Sequence, residues 1–151
     1  MFIYNGSIKR VKEAVEIANK LMQGEKGFLT NIRYYEYDMA NVSADKIRHF
    51  MINIHKKYEI EIVVRRTWNP FSRAIAWFNK KTPLKFYLNK CKLKRSKHSI
   101  VGSILHEFCH LVDNQYTDYY FGHGSNNRSG KENTAPYKIG YIAKNISEAY
   151  Y

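Results

Sequence analysis

The 151-residue sequence predicts a single α+β domain, and three features lead to that class. Two stretches in the first third carry apolar residues at helical spacing. The middle of the chain changes to a period of two. A long helical stripe and a further helix then close the chain. Helices and strands grouped in this way, instead of alternating βαβα, indicate α+β. With 44% hydrophobic residues the chain is long enough for one real core and short for two.

In order along the chain, Ile8, Val11, Val15, Ala18 and Leu21 recur at steps of three and four, so an amphipathic helix is expected until Gly24 and Gly27 interrupt it. Ser43 is placed to cap a second helix, with Ile47, Phe50, Met51 and Ile54 as its apolar stripe and an end near Lys57. From Glu59, the residues Ile60, Ile62 and Val64 alternate with Glu59, Glu61 and Arg65, as in a half-buried strand that ends at a WNPFS turn. Ala74 to Phe78 and Leu84 to Leu88 read as two more strands, joined as a hairpin through Asn79 to Pro83. Ser96 is the expected N-cap of the next helix, whose buried stripe is Val101, Ile104, Leu105, Phe108, Leu111 and Val112 and which runs to about Asp113. GSNNRSGKEN, from Gly124 to Asn133, has loop composition. A last helix begins near Pro136, tolerated in a first turn, and passes through Tyr141 and Ile142 despite the cost of Gly140.

Lys and Arg outnumber Asp and Glu by 25 to 13, for a formal charge of +12. That balance attracts polyanions, nucleic acid among them, without specifying an activity. The densest basic stretch is KCKLKRSK, where Lys90, Lys92, Lys94, Arg95 and Lys97 are the candidate phosphate contacts; a solvated loop is the competing reading. No apolar run approaches the roughly 18 residues of a membrane span, and the N-terminal residues contain no continuous apolar signal region, so no membrane partner is expected. Two cysteines, Cys91 and Cys109, without CxxC spacing suit a reducing compartment, so a cytoplasmic location is expected.

The chemistry is concentrated in HEFCH, His106 to His110. Residues four apart on a helix differ by about 40° around the axis and about 6 Å along it, so both imidazoles can meet one ion at about 2 Å. Glu107 is rotated by about 100° from His106, out of the ligand set but close enough to reach a water on the metal, which makes it the candidate base. The apolar stripe lies on another side of this helix, so the histidines are not needed to fill the core. A helix surface with two ordinary polar histidines is the plainer alternative.

HEFCH resembles the HExxH signature of the zincin metallopeptidases. The resemblance implies Zn2+ as cofactor, His106 and His110 as ligands, Glu107 as general base, and a small zincin-like fold: N-terminal helices, a short mixed or antiparallel sheet, the motif helix and a C-terminal helix. Metzincins continue with Gly and His where this chain has Asp113 and Tyr116, which disfavours that branch. For the third ligand His123 is preferred, because Gly122 and Gly124 let the backbone turn tightly and the segment from Asn114 is long enough to fold back. Asp118, Glu132 and Glu148 are the alternatives. An HExxH followed by a His–Gly pair is similar to the SprT-like, or Spartan-like, peptidases, although the residues after His123 depart from that pattern and a separate small zincin family is the other reading. Asp113 shares the histidine face and is expected to orient an imidazole by a hydrogen bond, a helix-terminal carboxylate in water being the alternative.

The activity this implies is peptide-bond hydrolysis of a peptide or protein substrate, with Glu107 taking a proton from a zinc-activated water and passing it to the leaving amine. Tyr119, Tyr120, Tyr137 and His98 are candidates to steady the oxyanion. By analogy AIAWF or LKFYL would accept the peptide as an added strand, and Trp68 and Trp77 are either cleft or core residues. A rival from another class is a basic nucleic-acid-binding module with an incidental HExxH; a SprT-like protease acting on DNA-associated proteins would combine both properties.

Overall fold

Four short strands form a mixed sheet against which the longer helices pack in the computed structural model, which describes residues 1–67, 74–124 and 129–151. Strand β1 is Phe2–Ile3, β2 is Ile60–Arg65, β3 is Ala76–Phe78 and β4 is Lys85–Asn89, in the order β1-β2-β4-β3. The β1–β2 and β2–β4 pairs are parallel, and β3 runs antiparallel to β4 as an edge. The expected hairpin thus exists, and the sheet is mixed. Ile60, Ile62, Phe86 and Leu88 are buried, matching the alternation of the sequence. The expected WNPFS turn, with Trp68, lies outside the described residues, as do residues 125–128 of the expected loop.

Helix α1, Lys9–Met22, buries Val11, Val15, Ala18 and Leu21, and α3, Ala44–Lys57, starts where Ser43 Oγ accepts the Lys46 N–H at 3.3 Å. Between them the chain adds a five-residue helix, α2, Phe28–Ile32. It and β1 are too short to show a period and were not expected from the sequence. Both are fixed by packing, since Phe2, Phe28 and Ile32 are almost fully buried.

Helix α4, Lys97–Gln115, is the centre of the fold. Ser96 Oγ accepts the Ser99 N–H at 3.2 Å, and all six residues of the expected stripe are at zero exposure. A helix with this much apolar surface lies inside the molecule. The last helix, α5, is Ala135–Tyr150, with Pro136 in its first turn.

The α4–α5 crossing explains the glycine that seemed costly. A Cβ on Gly140 would stand 2.7 Å from the Gly102 carbonyl oxygen and 3.2 Å from His106 Cβ, and a Cβ on Gly102 would stand 2.7 Å from the Gly140 oxygen. Only residues without side chains let the two backbones come this close. Among the described residues, no helix is long and apolar enough to cross a membrane.

Candidate metal centre and its cleft

His106 and His110 project from α4, and His123 lies on the segment that returns from its C-terminal end. His123 Nε2 is 2.8 Å from His110 Nε2 and 3.4 Å from His106 Nε2, and the ligand atoms of all three lie within 4.8 Å of one another. Four-coordinate zinc with nitrogens at about 2.0–2.1 Å places them about 3.3–3.4 Å apart, so the His106–His123 edge already has the required length, the His110–His123 edge must open by about half an ångström, and the His106–His110 edge, at up to 4.8 Å, must close by a turn of the rings. Burial, with His123 beside it, holds the His110 pKa down at about 4, so at neutral pH the ring is uncharged and can offer a lone pair. On donor type, number and spacing, the three rings fit zinc.

The return of His123 is built by residues that carry no periodic signal along the chain. Tyr116 stacks on Phe50 of α3 with centroids 3.7 Å apart, and Phe121 is completely buried. Asn41 clamps the segment from the other side: its N–H donates to Tyr120 O at 2.9 Å, and its Oδ1 accepts the Tyr120 N–H at 2.7 Å. Asp113 Oδ1 accepts the Phe121 N–H at 2.7 Å, and its carboxylate also accepts from the Gly122 N–H. The partner expected for Asp113 is an imidazole; the partners found are these two backbone amides, because the helix end faces the returning chain. A Cβ at Gly122 would lie 2.9 Å from Asp113 Oδ2, so the glycine permits the approach that brings in His123.

Glu107 lies beside the histidines at 8% exposure. Burial raises its carboxyl to about pH 7, partly opposed by a hydrogen bond from the Phe78 N–H of edge strand β3. The carboxyl therefore exchanges a proton readily at neutral pH while being held in place by the strand.

Of the four candidates for the oxyanion, Tyr137 is in contact with the cluster. Its ring lies 4.8 Å from that of His123 and 4.6 Å from that of His106. Tyr120 is on the cleft rim, Tyr119 OH is engaged by Lys46 Nζ, and His98 Nδ1 is hydrogen-bonded to Ser147 Oγ at 2.6 Å. Among the alternative ligands, Asp118 and Glu132 are exposed, and Glu148 pairs with Lys144 at 3.5 Å; none is in the histidine group.

A cleft of about 1370 Å³ runs along α4 past the three histidines, with Ala74 to Phe78 on one side and Tyr137 and Tyr141 on the other. Trp77 is half-buried on this wall and stacks on Tyr87 of β4, while LKFYL is interior to the sheet, so of the two segments expected to take an added strand only AIAWF forms an edge. The basic stretch divides. Lys90, Lys92 and Lys94 are exposed, and Lys97 is half-buried, 3.9 Å from Glu13. Arg95 turns inward, donating from Nη1 to Ser103 Oγ at 2.9 Å, and lines the cleft instead of the surface patch.

Compared with known proteins, the chain matches no family model, and no curated protein or solved structure aligns with it significantly.

Proposed function

We propose that this protein is a zinc-dependent peptidase of zincin type, with His106, His110 and His123 holding the ion and Glu107 as general base. The observation that carries this reading is the convergence of three imidazole nitrogens within 4.8 Å next to a buried carboxyl raised to about pH 7, on the wall of an open cleft. When bound, zinc supplies Lewis acidity, polarising a peptide carbonyl and making the attacking water more acidic. The carboxylate of Glu107 takes a proton from that water and delivers it to the leaving amine nitrogen. The Phe78 N–H orients the carboxylate, and burial keeps its two protonation states close in energy at neutral pH. The neighbouring backbone of β3, as a sheet edge, offers the pairing groups an extended peptide needs. Tyr137 stacks on His123 and meets His106 edge-on, which helps to orient both rings, and its hydroxyl is the donor to test for the oxyanion.

The test is zinc stoichiometry of the purified protein together with cleavage of a generic unfolded protein substrate. One zinc per chain, lost in His110→Ala, and a Glu107→Gln variant that keeps zinc but loses cleavage by at least about a hundredfold are expected. Absence of zinc at stoichiometric level after reconstitution overturns the metal centre. Undiminished cleavage by Glu107→Gln overturns the role of the base.

A further inference from the structure

The cleft contains a cation that the reaction proposed above does not use. Arg95 precedes the cap of α4, and its guanidinium folds along the face of the helix that carries Ser99, Ser103, His106 and His110. Ser103 is three residues before His106, so a hydroxyl that binds Arg95 stands about 4.5 Å along the axis from the first histidine.

The guanidinium is only half satisfied. Nη1 donates to Ser103 Oγ at 2.9 Å and, at the outer limit of a hydrogen bond, to Ser99 Oγ at 3.5 Å. Nε and Nη2 are shielded from water and have no acceptor among the described residues. These two atoms form the side edge of the guanidinium, whose parallel N–H bonds match the two oxygens of one carboxylate. A guanidinium removed from water without an anion is unfavourable, and burial alone draws its pKa down to about 10 with no neighbouring carboxylate to oppose it.

The described residues of the cleft do not supply the missing anion. Its acidic side chains are Glu107, bonded to the Phe78 amide, and Asp113, bonded to the Phe121 and Gly122 amides, both further along α4. Lys144 lines the same end of the cleft, where a Cβ on Gly102 would lie 3.1 Å from its Cβ. Its own partner, Glu148, is one helical turn onward at 3.5 Å. This end of the cleft therefore carries the Arg95 guanidinium beside the Lys144–Glu148 pair, and the three histidines lie further along α4 and its return segment.

We propose that Arg95 is a specificity residue that binds a carboxylate of the peptide lying in this cleft, so that the protein selects acidic substrates or free C-termini close to the scissile bond. Rotation about the side-chain torsions releases the weak Ser99 contact and turns the Nε–Nη2 edge to the ligand, with Ser103 as a hinge partner. The carboxylate then gives the Nε–Nη2 edge the acceptor it lacks among the described residues, in a half-buried site where such a bond is stronger than at the open surface. Lys144 adds attraction without the fork geometry.

This inference rests on the peptidase reading for what lies in the cleft, so its test measures binding apart from cleavage. The zinc-reconstituted Glu107→Gln protein is titrated calorimetrically with capped hexapeptides carrying one Glu at successive positions, with their Gln counterparts, and with all-neutral peptides ending in a free carboxylate or an amide. At one position, or at the free C-terminus, the carboxylate form is expected to bind about tenfold or more tightly than its neutral counterpart. The position identifies whether a side chain or a chain end is recognised. Adding Arg95→Gln abolishes that preference, and Arg95→Lys, which keeps the charge but not the fork, loses most of it. Equal affinities for charged and neutral peptides in the Glu107→Gln protein overturn the proposal, whether or not the Arg95 variants fold, as does a preference that survives Arg95→Gln. A carboxylate preference in a chain whose wild type cleaves none of these peptides leaves Arg95 as a binding residue and removes the peptidase reading. Cleavage without preference does the reverse.

Discussion

Replacing Gly140 by alanine sets two effects of known sign against each other. In a helix interior the change is favourable by about 1 kcal/mol, because alanine loses less backbone freedom on folding. At this crossing the new Cβ would stand 2.7 Å from Gly102 O and 3.2 Å from His106 Cβ. Carbon–oxygen contacts settle near 3.3–3.6 Å, so the helices must part by about 0.6 Å or more. The obstacle is backbone, which cannot swing aside as the end of a flexible side chain would. Overpacking of this kind costs about 1–3 kcal/mol, and the parting also loosens the fully buried residues of α4. A net loss of up to about 2 kcal/mol is expected, which for a chain of this length lowers Tm by up to about 8 °C. Zinc affinity should fall as well, since the displaced helix carries Tyr137, whose ring rests on His106 and His123. Differential scanning calorimetry of wild type and Gly140→Ala decides the matter. A Tm raised by about 2–4 °C, the whole gain in helix propensity with no packing cost, would refute the close crossing and with it the account of why this helix carries a glycine.

Three further outcomes follow from named groups. His55 is buried, faces Asn19 Oδ1 at 2.9 Å and has its pKa drawn down to about 4 by burial and by the N-terminal ammonium, so its contribution to stability is whole above its unfolded value of 6.5 and is lost as pH falls from there toward 4; unfolding free energies from urea titrations should drop by at most about 3 kcal/mol more in wild type than in His55→Gln over that range. Asp113→Ala removes the acceptor of two loop amides and should weaken zinc about 10- to 100-fold in chelator competition, while Asp113→Asn, which retains one acceptor oxygen, should weaken it less. Burial pushes the Cys109 thiol up, whereas Cys91 is exposed, so a disulfide reagent should titrate one thiol in the native protein and two in denaturant.

The sequence was legible wherever one residue reports a periodic environment. The stripe from Val101 to Val112, the alternation through Ile62 and the caps at Ser43 and Ser96 each state a local rule, and the structure obeys them. His106 and His110 could be placed together for the same reason, since four residues on a helix fix a geometry. His123 could be suspected from its flanking glycines but not placed, because its position depends on Asn41, Phe50 and Asp113 from three separate parts of the chain. Arg95 was read with its lysine neighbours as surface charge. Nothing local distinguishes it from them; its inward turn depends on Ser99 and Ser103, whose hydroxyls face it from the next turns of the helix. Gly102 and Gly140 look like isolated weaknesses until the crossing pairs them.

The same pattern of anchors decides how the fold should respond to removal of zinc. In a domain that folds only around its ion, the ligands have no other reason to be near each other. Here each proposed ligand is carried by structure with its own support: His106 and His110 by α4 with its fully buried apolar stripe, and His123 by Phe121 in the core, the Asn41 clamp and the Asp113 carboxylate. The 2.8 Å approach of His110 Nε2 and His123 Nε2 is moreover the length of an N–H···N hydrogen bond, so two of the rings can satisfy each other without the ion. Chelation should accordingly leave the far-ultraviolet circular dichroism unchanged at 25 °C. Free zinc at a hundred times its Kd should add about 2.7 kcal/mol, raising Tm by about 5–11 °C. His123→Ala should abolish most of that rise while leaving the metal-free Tm within a few degrees of wild type. Loss of helical signal on chelation would mean that the ion, and not Phe121 and Asp113, assembles the site.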